Sequence, residues 1–163
     1  MSDSLRDARQ RIDSLDDELL ALLNRRAALA LEVAELKSGS GGAATYYRPE
    51  REAQLLRRLL AANAGPLGAH QVVQLFREIV SACRSLEQVL TIGYLQATAL
   101  EPLGRYFGRF VKPVACADES ALLDAVASRD LDLGFIPEPR QGQILSARWR
   151  EPQLHICGTA VHL

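Results

Sequence analysis

Residues 5–37 read LRDARQRIDSLDDELLALLNRRAALALEVAELK, and their spacing decides the architecture. Leu5, Ala8, Ile12, Leu15, Leu19, Leu22, Arg26, Leu29, Val33 and Leu36 follow one another at alternating intervals of three and four. That is the seam of a long helix packed against another helix over several heptads. Ser4 with Asp7 three residues later predicts the start, and SGSGG at 38–42 predicts the stop. Such a helix, of roughly 33 residues, would be about 50 Å long. Two shorter helices cannot cover it, so a partner chain is the economical way to bury its stripe.

Two further helices follow. Pro49 suits a first helical turn, with Glu50 and Glu52 near its positive end, and Leu55, Leu56, Leu59 and Leu60 supply an inner face. Residues 63–68 break it. A third helix is expected over 69–89, with Val72, Leu75, Phe76, Ile79, Val80, Cys83 and Leu86 facing inward. Near residue 91 the character changes. Five of the seven prolines lie beyond it, and β-branched and aromatic clusters replace the Leu/Ala/Arg pattern. Strands at 91–95, 111–116 and 133–136, alternating with helices at 99–107 and 119–128, predict a small parallel α/β unit. The apolar stretch 154–163 reads as one more strand.

Composition narrows the function. The chain has 163 residues, 48% of them hydrophobic and 24% charged, which excludes wholesale disorder. Lys+Arg 19 against Asp+Glu 20 gives a net charge of −1, without the basic excess of a nucleic-acid binder. No apolar run reaches the length of a membrane span, and the polar start MSDSLRDARQ is unlike a signal peptide. Cys83, Cys116 and Cys157 have no ligand spacing and read as reduced thiols of a cytoplasmic protein. His70, His155 and His162 show no metal-ligand spacing either, so no metal is expected. Trp149 reads as a packing anchor. Gly104 and Gly108 flank Arg105 without the glycine-rich run of a phosphate loop.

Function is most legible where polar residues interrupt the apolar pattern. Arg26 occupies a seam position, and Lys37, eleven residues on, lies about 20° away around the same helix. Glu52 leads the row of Leu55, Leu56 and Leu59, with Arg48 and Arg51 at the same helix entrance. Glu87 lies four residues beyond Cys83 and eight beyond Ile79. Buried charges need partners or a ligand. One reading is a set of internal ion pairs that fix helix register. The other is a polar pocket within a helical bundle, suited by its cations to a small dianion.

The stretches at 8–37, 46–59 (YYRPEREAQLLRRL) and 75–88 (LFREIVSACRSLEQ) together resemble the all-helical chorismate mutases. They most resemble the mutase domain that opens bifunctional mutase–prephenate dehydratases. The resemblance covers about residues 5–90. It implies an all-α, three-helix, intertwined homodimer over 1–90, followed by a small α/β segment over 91–163. The implied reaction is the pericyclic rearrangement of chorismate to prephenate, with no cofactor, metal or nucleophile. Catalysis would consist of holding the dianion in its reactive conformer and stabilising charge on the ether oxygen.

By position, Arg26 and Arg9 resemble the carboxylate clamps, for which a guanidinium has the right paired donors. Arg9 lies about 100° off the Arg26 face, and in the family it reaches the partner's site. Lys37 resembles the donor to the ether oxygen and one carboxylate. Glu52 resembles the acceptor of the substrate hydroxyl, with Arg51 a supporting cation. Arg48 stands where some members have aspartate, and its backbone N–H could make the contact. Cys83 stands where some members have serine. Glu87 stands where some bacterial members have glutamine; a glutamate donates only when protonated, so activity is expected to favour acidic pH.

Residues 91–163 faintly resemble the start of a prephenate dehydratase domain in TIGYL (91–95), DLDLGFIPEP (130–139) and QLHICG (153–158). TIGYL runs into QATALEP, not Gly-Pro-x-Gly-Thr-Phe, and no Thr-Arg-Phe motif occurs. A partial, non-catalytic appendage packed on the mutase is therefore expected, with an effector-binding role as its rival. Two other functions fit the same scaffold: an isochorismate pyruvate-lyase, and a non-catalytic helical dimer carrying a regulatory segment.

Overall fold

The computed structural model describes residues 2–38 and 47–136. Helix α1 runs Ser2–Ser38, α2 Pro49–Ala62, α3 Ala69–Glu87, α4 Leu100–Phe107 and α5 Glu119–Ala127. Strands β1 (Thr91–Tyr94), β2 (Lys112–Ala115) and β3 (Leu133–Phe135) complete the order. The chain divides into two compact units, Met1–Ala44 and Thr45–Leu163.

The first unit contains α1, unbroken for 37 residues because it holds neither glycine nor proline and is rich in strong helix formers. It starts two residues before the expected point and stops where the glycine-rich stretch begins. Its apolar stripe faces solvent in the single chain: Leu15 is 57% exposed, Leu19 55% and Leu22 56%, and Leu5, Ile12, Leu29, Val33 and Leu36 are exposed as well. A row of exposed aliphatic side chains this long, broken at Arg26, is a surface that wants a partner.

In the second unit, α2 begins with Pro49 at its first turn, and the Arg48 carbonyl accepts from the Arg51 and Glu52 N–H groups at 3.1 and 3.2 Å. Asn63 ends the helix; its side-chain amide donates to the Leu67 carbonyl at 2.8 Å. The Gln71 side chain then accepts from the Gly68 N–H at 2.7 Å and opens α3. The buried face of α3 is Val72, Val73, Ser81, Cys83 and Arg84. This departs from the sequence expectation, for Leu75 and Leu86 stand 52% and 54% exposed. The helix presents a mixed polar face to the rest of its unit and leaves part of its apolar row outside. It also ends at Glu87, two residues early.

The strands form one parallel sheet in the order β2-β1-β3, as the alternation of elements predicts. Asp132, just before β3, accepts from both the N–H and the hydroxyl of Thr91 at 2.7 and 2.8 Å, which fixes where β1 and β3 start. Gly93 of the central strand has no room for a side chain: a Cβ there would lie 2.6 Å from Leu131 Cδ1. The core joins Tyr47, Leu90, Ile92, Leu103 and Phe107. Tyr47 thus packs the entrance of α2 onto the end of α4, its ring 5.4 Å from that of Phe107. The expected strand at 154–163, together with Trp149, Cys157, His155 and His162, lies outside the described residues.

Candidate functional site

The candidate residues fall on both units. On α1, Arg9 is exposed and Arg26 half-buried, in line with Ala27, Ala30 and Ala34. Lys37 lies in the last turn; its side chain is outside the described residues. Because the helix is continuous, Arg26 and Lys37 are about 16 Å apart along its axis, within joint reach of two long side chains. Arg9 lies about 42 Å from Lys37 along the same axis. No small molecule touches both from one chain.

On the second unit, Arg48 and Arg51 are exposed at the mouth of α2, while Glu52 turns inward. The Glu52 carboxylate meets Arg84 of α3: Nη1 to Oε2 is 3.6 Å, with the side chains 8% and 14% exposed for Arg84 and Glu52. Sequence reasoning missed Arg84. The available signal was a second ridge of α3, in which Val73, Arg77, Ser81 and Arg84 recur at three- and four-residue spacing beside the apolar one.

Burial is the main influence on Glu52 and raises its pKa from the ordinary 4.5; the charges of Arg84 and Arg77 oppose it. Burial likewise lowers the pKa of Arg84, opposed by Glu52, then Tyr47 and Glu87. The two carboxylates expected at the site therefore both act on one guanidinium. Cys83, the neighbour of Arg84, is a buried free thiol, and Glu87 is half-buried in the last turn of α3.

The same ridge secures the end of α4. Arg77 Nη1 donates to the Arg105 carbonyl at 3.3 Å and Arg84 Nη2 to the Phe107 carbonyl at 3.1 Å. Glu78 accepts from the Arg109 N–H at 3.0 Å, and Ser81 Oγ from the Phe110 N–H at 3.2 Å. Gly108 ends the helix at φ 78°, so the glycines around Arg105 serve a helix terminus, not a phosphate loop. A separate open cleft at the carboxyl ends of β1 and β2 is lined by Leu95, Gln96, Ala117, Asp118, Glu119 and Ser120. Its acidic rim repels a dianion. Among the described residues, no three His, Cys, Asp or Glu side chains are grouped to hold a metal, and no helix is long and apolar enough to cross a membrane.

The chain is similar to known proteins. Residues 8–88 match the family described as chorismate mutase type II, and that stretch of the chain belongs to it. The chain is 42% identical over 147 residues to a bifunctional chorismate mutase/prephenate dehydratase of Pseudomonas aeruginosa, covering 83% of this chain and 39% of that protein. Proteins of the same description in Stutzerimonas stutzeri and Aquifex aeolicus are 40% and 31% identical over 148 and 142 residues; each match again covers 83% of this chain and 39% of the relative. The chain thus spans about two-fifths of the length of these relatives. All eight candidate residues, from Arg9 to Glu87, lie inside the family match.

Proposed function

We propose that this chain is a chorismate mutase, an isomerase that converts chorismate to prephenate in phenylalanine and tyrosine biosynthesis, and that it works as a homodimer. The observation that carries the reading is the family match over 8–88, which contains every candidate cation and carboxylate in order. The mutase domain comprises residues 1–90, and residues 91–163 are an appended segment. The reaction breaks one C–O bond and forms one C–C bond within a single molecule, so the protein supplies positioning and charge alone.

In this reading Arg26 and Lys37 of one chain and Arg9 of the other grip the two substrate carboxylates, each guanidinium through paired N–H donors. Lys37 donates to the ether oxygen, where negative charge grows in the transition state, and Glu87 stands beside it on α3. Glu52 accepts from the substrate hydroxyl. Arg51 supplements the positive field, while Arg48 contributes through its backbone N–H, and Cys83 packs beside them. The 42 Å between Arg9 and Lys37 along α1 and the open leucine stripe support the dimer. The free thiols of Cys83 and Cys116 suit the cytoplasm.

The relatives' printed description also includes prephenate dehydratase. We assign no such chemistry to residues 91–136, because β1 runs into a short 3₁₀ turn at Ala97–Ala99 where the dehydratase pattern has a glycine-rich loop. One assay tests the whole reading: purified protein is given chorismate and, separately, isochorismate, and the products are identified. Prephenate without phenylpyruvate is expected. Pyruvate release from isochorismate would replace the mutase with the lyase, and no turnover of either would leave a helical dimer without catalysis.

A further inference from the structure

Arg84 is held on several sides. Nη1 faces the Glu52 carboxylate at 3.6 Å, Nη2 donates to the Phe107 carbonyl at 3.1 Å, and the guanidinium carbon lies 5.5 Å from the centre of the Tyr47 ring. A guanidinium is planar and its two terminal nitrogens are fixed relative to each other, so a group bonded at one end is positioned by what is bonded at the other. The Phe107 carbonyl is among the last of α4, with no further turn to use it, and it carries the partial negative charge of a helix end. Tyr47 closes one face of the guanidinium. Its ring in turn packs on Phe107, which lies 4.9 Å from Tyr106 and 6.3 Å from Phe135. The charge next to Glu52 is therefore tied to the core of the α/β segment.

We propose that Arg84 is a positioning residue of the mutase site, a bridge through which the end of α4 fixes the Glu52 carboxylate on α2. The inference rests on the reading of Glu52 as acceptor of the substrate hydroxyl. It gives the α/β segment a task that needs no chemistry of its own: it buttresses the site through one side chain. Without Arg84, the buried Glu52 carboxylate would keep only the more distant Arg77 on α3, with Arg48 and Arg51 on its own side, and would bind its proton more readily. A protonated Glu52 presents a donor where the substrate hydroxyl needs an acceptor.

The test uses the full chain, with kcat and KM for chorismate measured across pH for Arg84→Met, Arg84→Lys and Glu52→Gln. Arg84→Met should lower kcat/KM about tenfold at neutral pH and move the acid limb of the profile to higher pH. Arg84→Lys keeps the charge but cannot span both partners; it should restore the acid limb and only part of the rate. In a Glu52→Gln background, Arg84→Met should cost little more, since both act through one carboxylate. A purely structural role would lower the melting temperature and leave the acid limb in place.

If Arg84→Met retains the wild-type rate and acid limb while Glu52→Gln is impaired, the inference is overturned and the mutase reading survives. If the wild type leaves chorismate untouched, both fall. Should Arg84→Met fail to fold, Arg84→Lys decides: a wild-type kcat/KM, or a loss that persists in full in a Glu52→Gln background, would contradict the bridge, and a several-fold loss that disappears in that background would support it.

Discussion

Arg84 on α3 and Glu52 on α2 form an ion pair 3.6 Å long that is almost shut off from solvent. Removing one member of such a pair strands the other, a larger effect than the pair's net worth. Arg84→Ala should therefore destabilise the chain by about 3–5 kcal/mol. Replacing both, as Glu52→Leu with Arg84→Met, should recover most of that stability without recovering turnover. Urea unfolding monitored by circular dichroism, run beside the chorismate assay, reads both quantities.

Glu52 also leaves a signature in the pH dependence of stability. Its folded pKa is raised by burial from the ordinary 4.5. As pH climbs past 4.5, the unfolded chain releases this proton first and the folded chain holds it longer. The folded state then binds more protons, so this group's contribution to stability falls with rising pH until the raised value is passed. Urea midpoints from about pH 4 upward should show that falling component in the wild type and not in Glu52→Gln.

Gly108 sits at φ 78°, ψ 178°, and a Cβ there would lie 2.4 Å from Ser81 Cβ. That backbone region is nearly closed to other residues. Gly108→Ala should cost about 3 kcal/mol and loosen the end of α4 from α3. Amide exchange should report it as faster exchange at Arg109 and Phe110, whose N–H groups bond to Glu78 and Ser81. Unchanged protection there would contradict the assigned role of this terminus.

The stripe of α1 gives a prediction about assembly. Leu19→Glu places a charge in the middle of the exposed leucine row. Sedimentation should show a dimer for the wild type and a monomer for the variant, with mutase turnover lost at the same concentration. A monomeric but fully active variant would show that one chain holds a whole site.

Glu87→Gln separates donation from charge. A glutamine amide donates at every pH, whereas a carboxyl donates only with its proton. The variant should turn chorismate over at least as fast as the wild type at neutral pH. A large loss of turnover there would remove Glu87 from the ether oxygen.

Much of this was legible in residue spacing. The three-and-four rhythm from Leu5 to Leu36 specified α1 and the stripe that it leaves exposed, because periodicity survives any tertiary arrangement. Pro49, the break at 63–68 and the β-branched cluster at residue 91 likewise marked the start of α2, the gap before α3 and the start of β1. What the spacing could not tell was which cation meets Glu52. Arg84 lies on a lateral, polar ridge of α3, and its value comes from contacts with Tyr47 and Phe107, far away in sequence. The same ridge explains why Leu75 and Leu86 lie outside: α3 turns Ser81 and Arg84 toward α4, and an apolar period alone does not reveal a face chosen by backbone hydrogen bonds.

In the proposed dimer each site is built from two chains, Arg9 of one serving Lys37 of the other. Mixing two inactive variants decides it. Arg9→Ala and Lys37→Ala should each abolish turnover of chorismate. Unfolded together and refolded, they should regain about a quarter of wild-type activity, since half the dimers are mixed and each mixed dimer holds one intact site. Mixed dimers that form and stay inactive would contradict the account.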